Sequence, residues 1–161
     1  MKKIFLTLTS ILLLLSGCSF YTFNPKGKST ISSISVERFA NRTGEYGLED
    51  RMTDQIIDAL ISDGSMKVVP SENAEALLVG TLTRYDRQPF DPTIDDQVES
   101  YSVTMYFEIK LINSADNTEI WSDNVNKMGV YNLETQTEED GQLDAITQLI
   151  DYIINKTTKS W

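Results

Sequence analysis

The stretch from residue 101 to 111 alternates apolar and polar residues more regularly than any other part of the chain. Its apolar positions are Tyr101, Val103, Met105, Phe107, Ile109 and Leu111. The residues between them are Ser102, Thr104, Tyr106, Glu108 and Lys110. A sustained period of two is the signature of a β-strand with one buried face. The chain must therefore build a sheet whose two faces meet different surroundings, because side chains alternate between the faces of a strand.

Further strands follow from similar patterns. Residues 113–117 have the composition of a hairpin turn and lead into a strand over about 119–131, so these two strands should be antiparallel neighbours. Residues 76–85 predict a strand whose first half is apolar on both faces. Residues 34–39 predict the first strand, and residues 66–69 a short extended segment.

Two segments have the period of an amphipathic helix. The apolar stripe of the first consists of Leu48, Met52, Ile56, Ile57, Leu60 and Ile61, and Gly64 follows as a C-terminal cap. The stripe of the second consists of Leu143, Ile146, Leu149, Ile150, Ile153 and Ile154, and Lys156 and Lys159 complement the helix dipole at its end. The acidic residues 134–141 should end the preceding strand, and the Pro-containing residues 88–99 should form a mobile loop.

The element order β-α-β-β-β-α predicts an α+β fold. We expect a two-layer sandwich, in which two amphipathic helices cover one face of a mixed sheet of about four strands. Because two helices cover only one face, Thr104, Tyr106, Glu108 and Lys110 should face water or a partner on the other.

The chain begins with the features of an export signal. Two lysines follow Met1, residues 4–15 form an apolar run, and Ser16 and Gly17 precede Cys18. The run is too short to span a bilayer stably, so residues 1–17 are predicted to be a signal peptide. Residues 15–18 also resemble the lipobox of bacterial lipoproteins. We therefore expect Cys18 to be lipidated and to hold the mature protein on a membrane through its acyl chains.

The mature chain is predicted to consist of the acylated cysteine and a tether over residues 18–30, followed by a single domain over residues 31–161. The tether carries three aromatic residues, Phe20, Tyr21 and Phe23. They could lie at the bilayer interface, dock on a partner or pack as an ordinary N-terminal segment.

Charge and composition exclude several classes of function. Loss of Lys2 and Lys3 with the signal peptide leaves 12 basic and 24 acidic residues, a net charge of −12, which argues against binding to nucleic acid. The chain has no histidine, and its single cysteine is predicted to carry lipid. No carboxylate pair is singled out by its spacing, and no glycine-rich phosphate loop is present. We therefore expect no enzymatic activity, no cofactor and no metal site.

Several segments together resemble the lipopolysaccharide-assembly lipoprotein family LptE. The resemblance covers nearly the whole mature chain, and it is carried by the lipobox at Cys18, residues 20–23, 34–43, 47–49, Asp54, Leu60, Gly64, and residues 68–69, 73–76 and 78–82. The long strand over 101–112 and the hairpin exit at 117–121 agree with it. The same resemblance implies a non-enzymatic lipoprotein of the cell outer membrane that plugs and supports the LptD β-barrel and takes part in lipopolysaccharide assembly.

The resemblance also implies contact between basic residues and the phosphates of lipid A. The candidates for such lipopolysaccharide contacts are Arg84, Arg87, Lys110 and Lys127. No motif assigns any of them individually, because each also fits a solvated charge on a strand.

An alternative family resemblance remains open. The first strand, the loop after it, the helix and the next strand are also similar to the N-terminal domain of TolB and to LpoB-type activators of peptidoglycan synthases. Such a lipoprotein would bind a peptidoglycan synthase or a secretion channel instead. The short tether favours LptE, since those activators usually carry a long linker across the periplasm.

Overall fold

The computed structural model describes residues 31–91 and 98–158, so the predicted signal peptide, Cys18, the tether and Lys159 lie outside the described residues. The strands are β1 (Ser33–Val36), β2 (Ala40–Asn41), β3 (Lys67–Val68), β4 (Ala76–Phe90), β5 (Ser100–Asn113) and β6 (Glu119–Asn132). The helices are α1 (Leu48–Asp63) and α2 (Glu138–Thr158), and a short 3-10 turn covers Ser71–Asn73.

All strands belong to one mixed sheet. Its order is β3-β1-β4-β5-β6, and β2 pairs with β4 beyond the end of β1. The strand β1 runs parallel to β3 and β4, and β2 runs parallel to β4, whereas β5 is antiparallel to both β4 and β6. The predicted class and the β5–β6 hairpin are therefore confirmed. The sheet has six strands instead of about four, because β2 and β3 are too short to show an alternating pattern in the sequence.

Both helices pack on the same face of the sheet, as predicted. Met52 of α1, Leu149 and Ile153 of α2, and Phe107 and Ile109 of β5 are all buried in one hydrophobic cluster. Burial of this kind contributes about 1.5–3 kcal/mol for each large apolar side chain, which makes the cluster the main source of stability.

Each predicted apolar stripe includes a residue that is not buried in the structure. Ile61 is 59% exposed and Leu143 is 45% exposed, so these two members of the predicted stripes lie outside the core. A helix lying on a flat sheet buries only the side chains that point at the sheet, and both residues stand at the margin of their stripe.

The first strand is interrupted where the sequence predicted a single run over 34–39. The backbone leaves the strand geometry after Val36, and Phe39 turns its ring into the core. The amide of Phe39 donates a hydrogen bond of 2.9 Å to the Thr53 hydroxyl of α1. Pairing with β4 then resumes at β2.

The strand β4 extends further than predicted. Residues 88–90, expected to lie in a mobile loop, pair with residues 100–102 of β5, and only residues 92–97 of that segment lie outside the described residues. Pro89, opposite Tyr101, lacks an amide donor but is tolerated because β5 is the only strand pairing with this part of β4 within the described ranges.

The ends of the helices follow local chemistry. Gly64 adopts a left-handed φ of 65° and its amide donates to the Leu60 carbonyl, which confirms the predicted cap of α1. The helix α2 begins at Glu138, within a segment expected only to end the preceding strand. The Asp140 carboxylate accepts a hydrogen bond of 2.7 Å from the Thr137 amide, and the acidic first turn suits the positive end of the helix dipole.

Candidate functional site: the open face of the sheet

The sheet face opposite the helices is uncovered by any element that the structure describes. Along β5, Thr104 and Tyr106 are half-buried there and Glu108 and Lys110 are exposed, whereas the residues between them are buried against the helices. This agrees with the position that the alternating pattern predicts. We call this surface the open face, and it is the main candidate for binding.

Arg84 lies on the open face, opposite Tyr106 of β5. Its guanidinium carbon is 3.7 Å from the ring centroid of Tyr106, and its Nη2 atom is 2.9 Å from the Asp86 carboxylate. Cation and ring form a stacked pair of the kind that contributes about 0.5–1 kcal/mol at an exposed site. Arginine and tyrosine are also the residue types enriched in protein interfaces.

A β-bulge puts Arg84 on this face. The pairing of β4 with β5 shifts between Leu82 and Arg84, which leaves Thr83 as an extra residue, and the Thr83 hydroxyl donates to the Tyr106 carbonyl at 3.1 Å. Because a slip of one residue exchanges the two faces of a strand, an unbroken β4 would have turned Arg84 toward the helices. No pattern in the sequence marks the bulge.

Lys110 stands farther along the same face. It lies opposite Val79 of β4 and Ser122 of β6, and it makes no ion pair with any residue in the described ranges. Nearby, the Arg42 guanidinium is 4.0 Å from the Glu108 carboxylate. The sequence analysis missed Arg42 because it follows β2 in a loop, and only the pairing of β2 with β4 brings it to the sheet.

Arg87 faces the other way, toward the helices. Its guanidinium carbon is 3.8 Å from the ring centroid of Tyr101, and its Nε atom donates to the Tyr131 hydroxyl at 2.6 Å. The same Nε atom is 3.1 Å from the Glu138 carboxylate. These contacts give Arg87 a structural role in joining β4, β5, β6 and α2.

Lys127 also lies on the helix side of the sheet. It pairs with the buried Met105, and its Nζ atom is 5.1 Å from the ring centroid of Tyr152 of α2. The structure therefore separates the four predicted lipopolysaccharide contacts into two pairs on opposite faces. Arg84 and Lys110 belong to the open face, and Arg87 and Lys127 do not.

A polar network next to Arg87 links β4 to both helices. The Tyr85 hydroxyl donates to the Glu138 carboxylate at 2.6 Å and accepts from the Gln142 amide at 3.1 Å. The Gln142 carbonyl oxygen in turn accepts from Arg51 of α1 at 2.7 Å. Burial, and then the bond to Glu138, raise the pKa of Tyr85, so this hydroxyl stays protonated and serves as a donor.

The open face is suited to recognition. An open depression of about 610 Å³ runs beside Tyr106, and Thr83, Asn124 and Asn126 add polar groups to its lining, which extends to Lys127 and Tyr152 on the helix side. Residues 31–91 and 98–158 contain no group of three side chains placed to hold a metal ion. No helix in these ranges is long and apolar enough to cross a membrane.

Solved structures share this fold. The chain is similar to the uncharacterized lipoprotein B of Nitrosomonas europaea, with a TM-score of 0.61 and 13% identity over 87% of this chain and 90% of that one. A protein from Xanthomonas campestris has a TM-score of 0.61 and 14% identity over 84% and 88% of the two chains. For a minor lipoprotein from Acinetobacter baumannii the values are 0.53 and 15% over 79% and 92%. Identities this low establish the fold alone.

Sequence comparison supplies the family. No curated protein matches the sequence. The model of the LptE family, described as lipopolysaccharide-assembly, matches residues 31–157, which is nearly all of the predicted mature domain. The chain therefore belongs to the LptE family of lipopolysaccharide-assembly proteins.

Proposed function

We propose that this protein is an outer-membrane lipoprotein, anchored through Cys18, that supports an LptD-type β-barrel and takes part in the insertion of lipopolysaccharide. Membership in the LptE family supports the assignment to lipopolysaccharide assembly. The proposed role is one of binding and positioning, and it requires no catalysis by the protein.

The observation that carries the proposal is the open face with Arg84 stacked on Tyr106. A sheet face that neither of the two described helices covers is available to a partner. Its polar residues suit contact with the lumen of a barrel, whose interior is polar and filled with water. The bulge at Thr83 directs the charged end of Arg84 to the surface where such a partner would lie.

Local charge on the open face also supports contact with an anionic glycolipid. The mature chain is acidic, but screening limits the repulsion between exposed charges to about 8 Å at physiological salt. Lys110 has no ion-pair partner among the described residues, so its full charge is available to a phosphate. Arg84 is partly neutralised by Asp86 and would have to exchange this carboxylate for a ligand.

Purification of the tagged lipoprotein from envelopes in mild detergent tests the proposal. We expect a barrel of the LptD kind to be recovered in a one-to-one ratio, as measured by quantitative mass spectrometry. Recovery of a peptidoglycan synthase, or of no barrel, would show that the proposal is wrong.

A matched pair of variants links the interaction to the open face. Lys110→Glu reverses one charge on β5, and Lys67→Glu makes the same change on the exposed edge strand β3, which β1 and β4 separate from β5. We expect recovery of the barrel to fall with the first variant and to stay at the wild-type level with the second. Equal recovery with both would exclude the open face around Lys110 as the contact.

A further inference from the structure

A second concave surface lies at the end of the sheet where the β5–β6 turn is found. This groove has a volume of about 580 Å³, within the roughly 300–1,000 Å³ typical of ligand clefts. Its apolar lining consists of Ile31, Ala74, Ala115 and Ile120, and Ile120 is 44% exposed. Glu72 and Glu75 add acidic groups at its edge.

The described chain enters the fold at this groove. Ile31, the first described residue, is part of its lining. The Glu75 carboxylate accepts hydrogen bonds from the Ser32 amide at 2.8 Å and from the Ser32 hydroxyl at 2.5 Å. The Glu75 amide donates to the Ser33 hydroxyl at 3.1 Å. Hydrogen bonds with both the backbone and the side chain of Glu75 therefore fix the start of the described chain. Whatever precedes Ile31 must therefore leave from the edge of the groove.

We propose that this groove is the seat of the chain's own N-terminal segment, residues 19–30, with its aromatic side chains Phe20, Tyr21 and Phe23 packed against Ile120. Phe23 is eight residues from Ile31, and an extended chain of that length spans about 27 Å, more than the return into an adjacent groove requires. A short covalent link of this kind gives an effective concentration on the order of millimolar, so even a weak contact becomes populated.

Charge also favours the N-terminal segment as the occupant of this groove. The segment contains Lys26 and Lys28 and no acidic residue, although the chain as a whole is strongly acidic. The groove has the opposite sign, because Glu72 and Glu75 are part of its lining. The β5–β6 turn beside it adds Asp116, and β6 begins at Glu119. The basic stretch directly before Ile31 would therefore pass over acidic surface while the aromatic residues reach the apolar lining.

The docked segment would fix the orientation of the domain relative to the membrane. If Cys18 carries lipid, the acyl chains follow the aromatic residues within a few positions, so the end of the sheet with the β5–β6 turn faces the bilayer. The other end, where β4 leaves at Phe90 and β5 begins at Ser100, then points away from it. The docked tether would thereby hold the open face in one orientation relative to the membrane.

Disulfide trapping in the native lipoprotein tests whether the N-terminal segment occupies the groove. The mature chain has no competing thiol when Cys18 is acylated, so Phe23→Cys combined with Ala115→Cys can form a single cross-link in the oxidising envelope. The matched control combines Phe23→Cys with Lys67→Cys, because Lys67 pairs with Ser33 next to the chain entry, yet does not line the groove. Mass spectrometry of peptides should find at least five-fold more cross-link with Ala115→Cys. Equal yields at both positions, or none at Ala115→Cys, would overturn the proposal.

Hydrogen exchange provides an independent measurement. Phe20, Tyr21 and Phe23 are replaced together by Ser in the lipidated protein, and amide exchange over residues 113–120 is compared with the wild type. We expect exchange in this turn to become several-fold faster in the variant, while residues 103–109 of β5 stay unchanged. Identical exchange in both proteins would show that the aromatic residues lie elsewhere, as they would at a bilayer surface.

Discussion

The aromatic ring of Phe39 lies directly on the backbone of Gly80. A Cβ atom placed on Gly80 would be 2.0 Å from Cε1 and 2.3 Å from Cζ of this ring, far inside contact distance. Phe39 is buried and Gly80 sits in the buried part of β4, so neither residue has free space to move into. Phe39 enters the core where the chain breaks between β1 and β2, and its ring fits there only because residue 80 of β4 is a glycine.

Replacing Gly80→Ala should lower the free energy of unfolding by about 1–3 kcal/mol, the usual cost of overpacking a core. The gain from removing a glycine within a strand, roughly 0.5–1 kcal/mol, is smaller than this cost. Urea unfolding followed by circular dichroism measures the difference. Gly44→Ala is the control, since a Cβ atom there meets nothing within 4 Å, and its effect should stay within about 0.5 kcal/mol. Equal stability of both variants would contradict the prediction.

Replacing Gly129→Ala should be more damaging than the change at Gly80. The new Cβ atom would be 1.9 Å from the Gly141 carbonyl oxygen and 3.1 Å from the Ala145 amide nitrogen, both backbone atoms of α2. A ring can rotate, but a helix backbone must move as a whole, so we expect a loss of about 3 kcal/mol or more. The same unfolding experiment checks this order. A loss smaller than that of Gly80→Ala would show that α2 can shift away from β6.

The ion pair of Asp123 should make stability depend on pH. Hydrogen bonds from Lys156, at 2.7 Å, and from the Tyr152 hydroxyl hold the pKa of the Asp123 carboxyl below its usual value of 3.8. A carboxyl with a lowered pKa in the folded state stabilises the protein above the unfolded pKa, and this contribution is lost as the pH falls through the folded pKa. Asp123→Asn should therefore flatten the fall in unfolding free energy below about pH 4.

Urea unfolding between about pH 6 and pH 3 measures this slope. The control is Asp54→Asn, which removes an exposed carboxylate of α1 and should leave the slope close to that of the wild type. The same slope in Asp123→Asn and the wild type would mean that the contact with Lys156 contributes nothing in solution.

Lipopolysaccharide binding should distinguish the two pairs of basic residues. Arg84→Glu and Lys110→Glu change the open face, so each should weaken retention of purified lipopolysaccharide by about ten-fold, equivalent to about 1.4 kcal/mol. Lys127→Glu places the same charge on the helix side and should have little effect on binding. Surface plasmon resonance with the lipidated protein measures all three. A loss confined to Lys127→Glu would move the ligand to the helix side of the sheet.

Arg87→Ala requires a separate readout, because its contacts are structural. Removing the guanidinium leaves the stacked Tyr101 and the Glu138 carboxylate without their cation. Since this ion pair is more than one third exposed, its loss should cost only about 1 kcal/mol. We expect a lower unfolding midpoint with unchanged affinity for lipopolysaccharide in the fraction that remains folded. Weaker binding at full stability would instead make Arg87 a ligand contact.

The local pattern of the sequence determined the elements and their arrangement in two layers. The alternation along 101–111 fixed the strand β5 and both of its faces, and the two apolar stripes fixed α1 and α2. These features follow from the residues of one segment, because an alternation of two or of 3.6 residues directly sets which side chains share a face.

The tertiary structure alone decided how distant segments meet. Thr83 is left out of the ladder only because the hydrogen-bonding register between β4 and β5 shifts there, and this shift decides that Arg84 lies on the open face and Arg87 on the helix side. Residues 88–90, with Pro89 among them, form a strand because β5 offers backbone partners to a segment without a strand pattern of its own. Register and pairing depend on hydrogen bonds between residues far apart in the chain, and a period read within one segment contains no information about them.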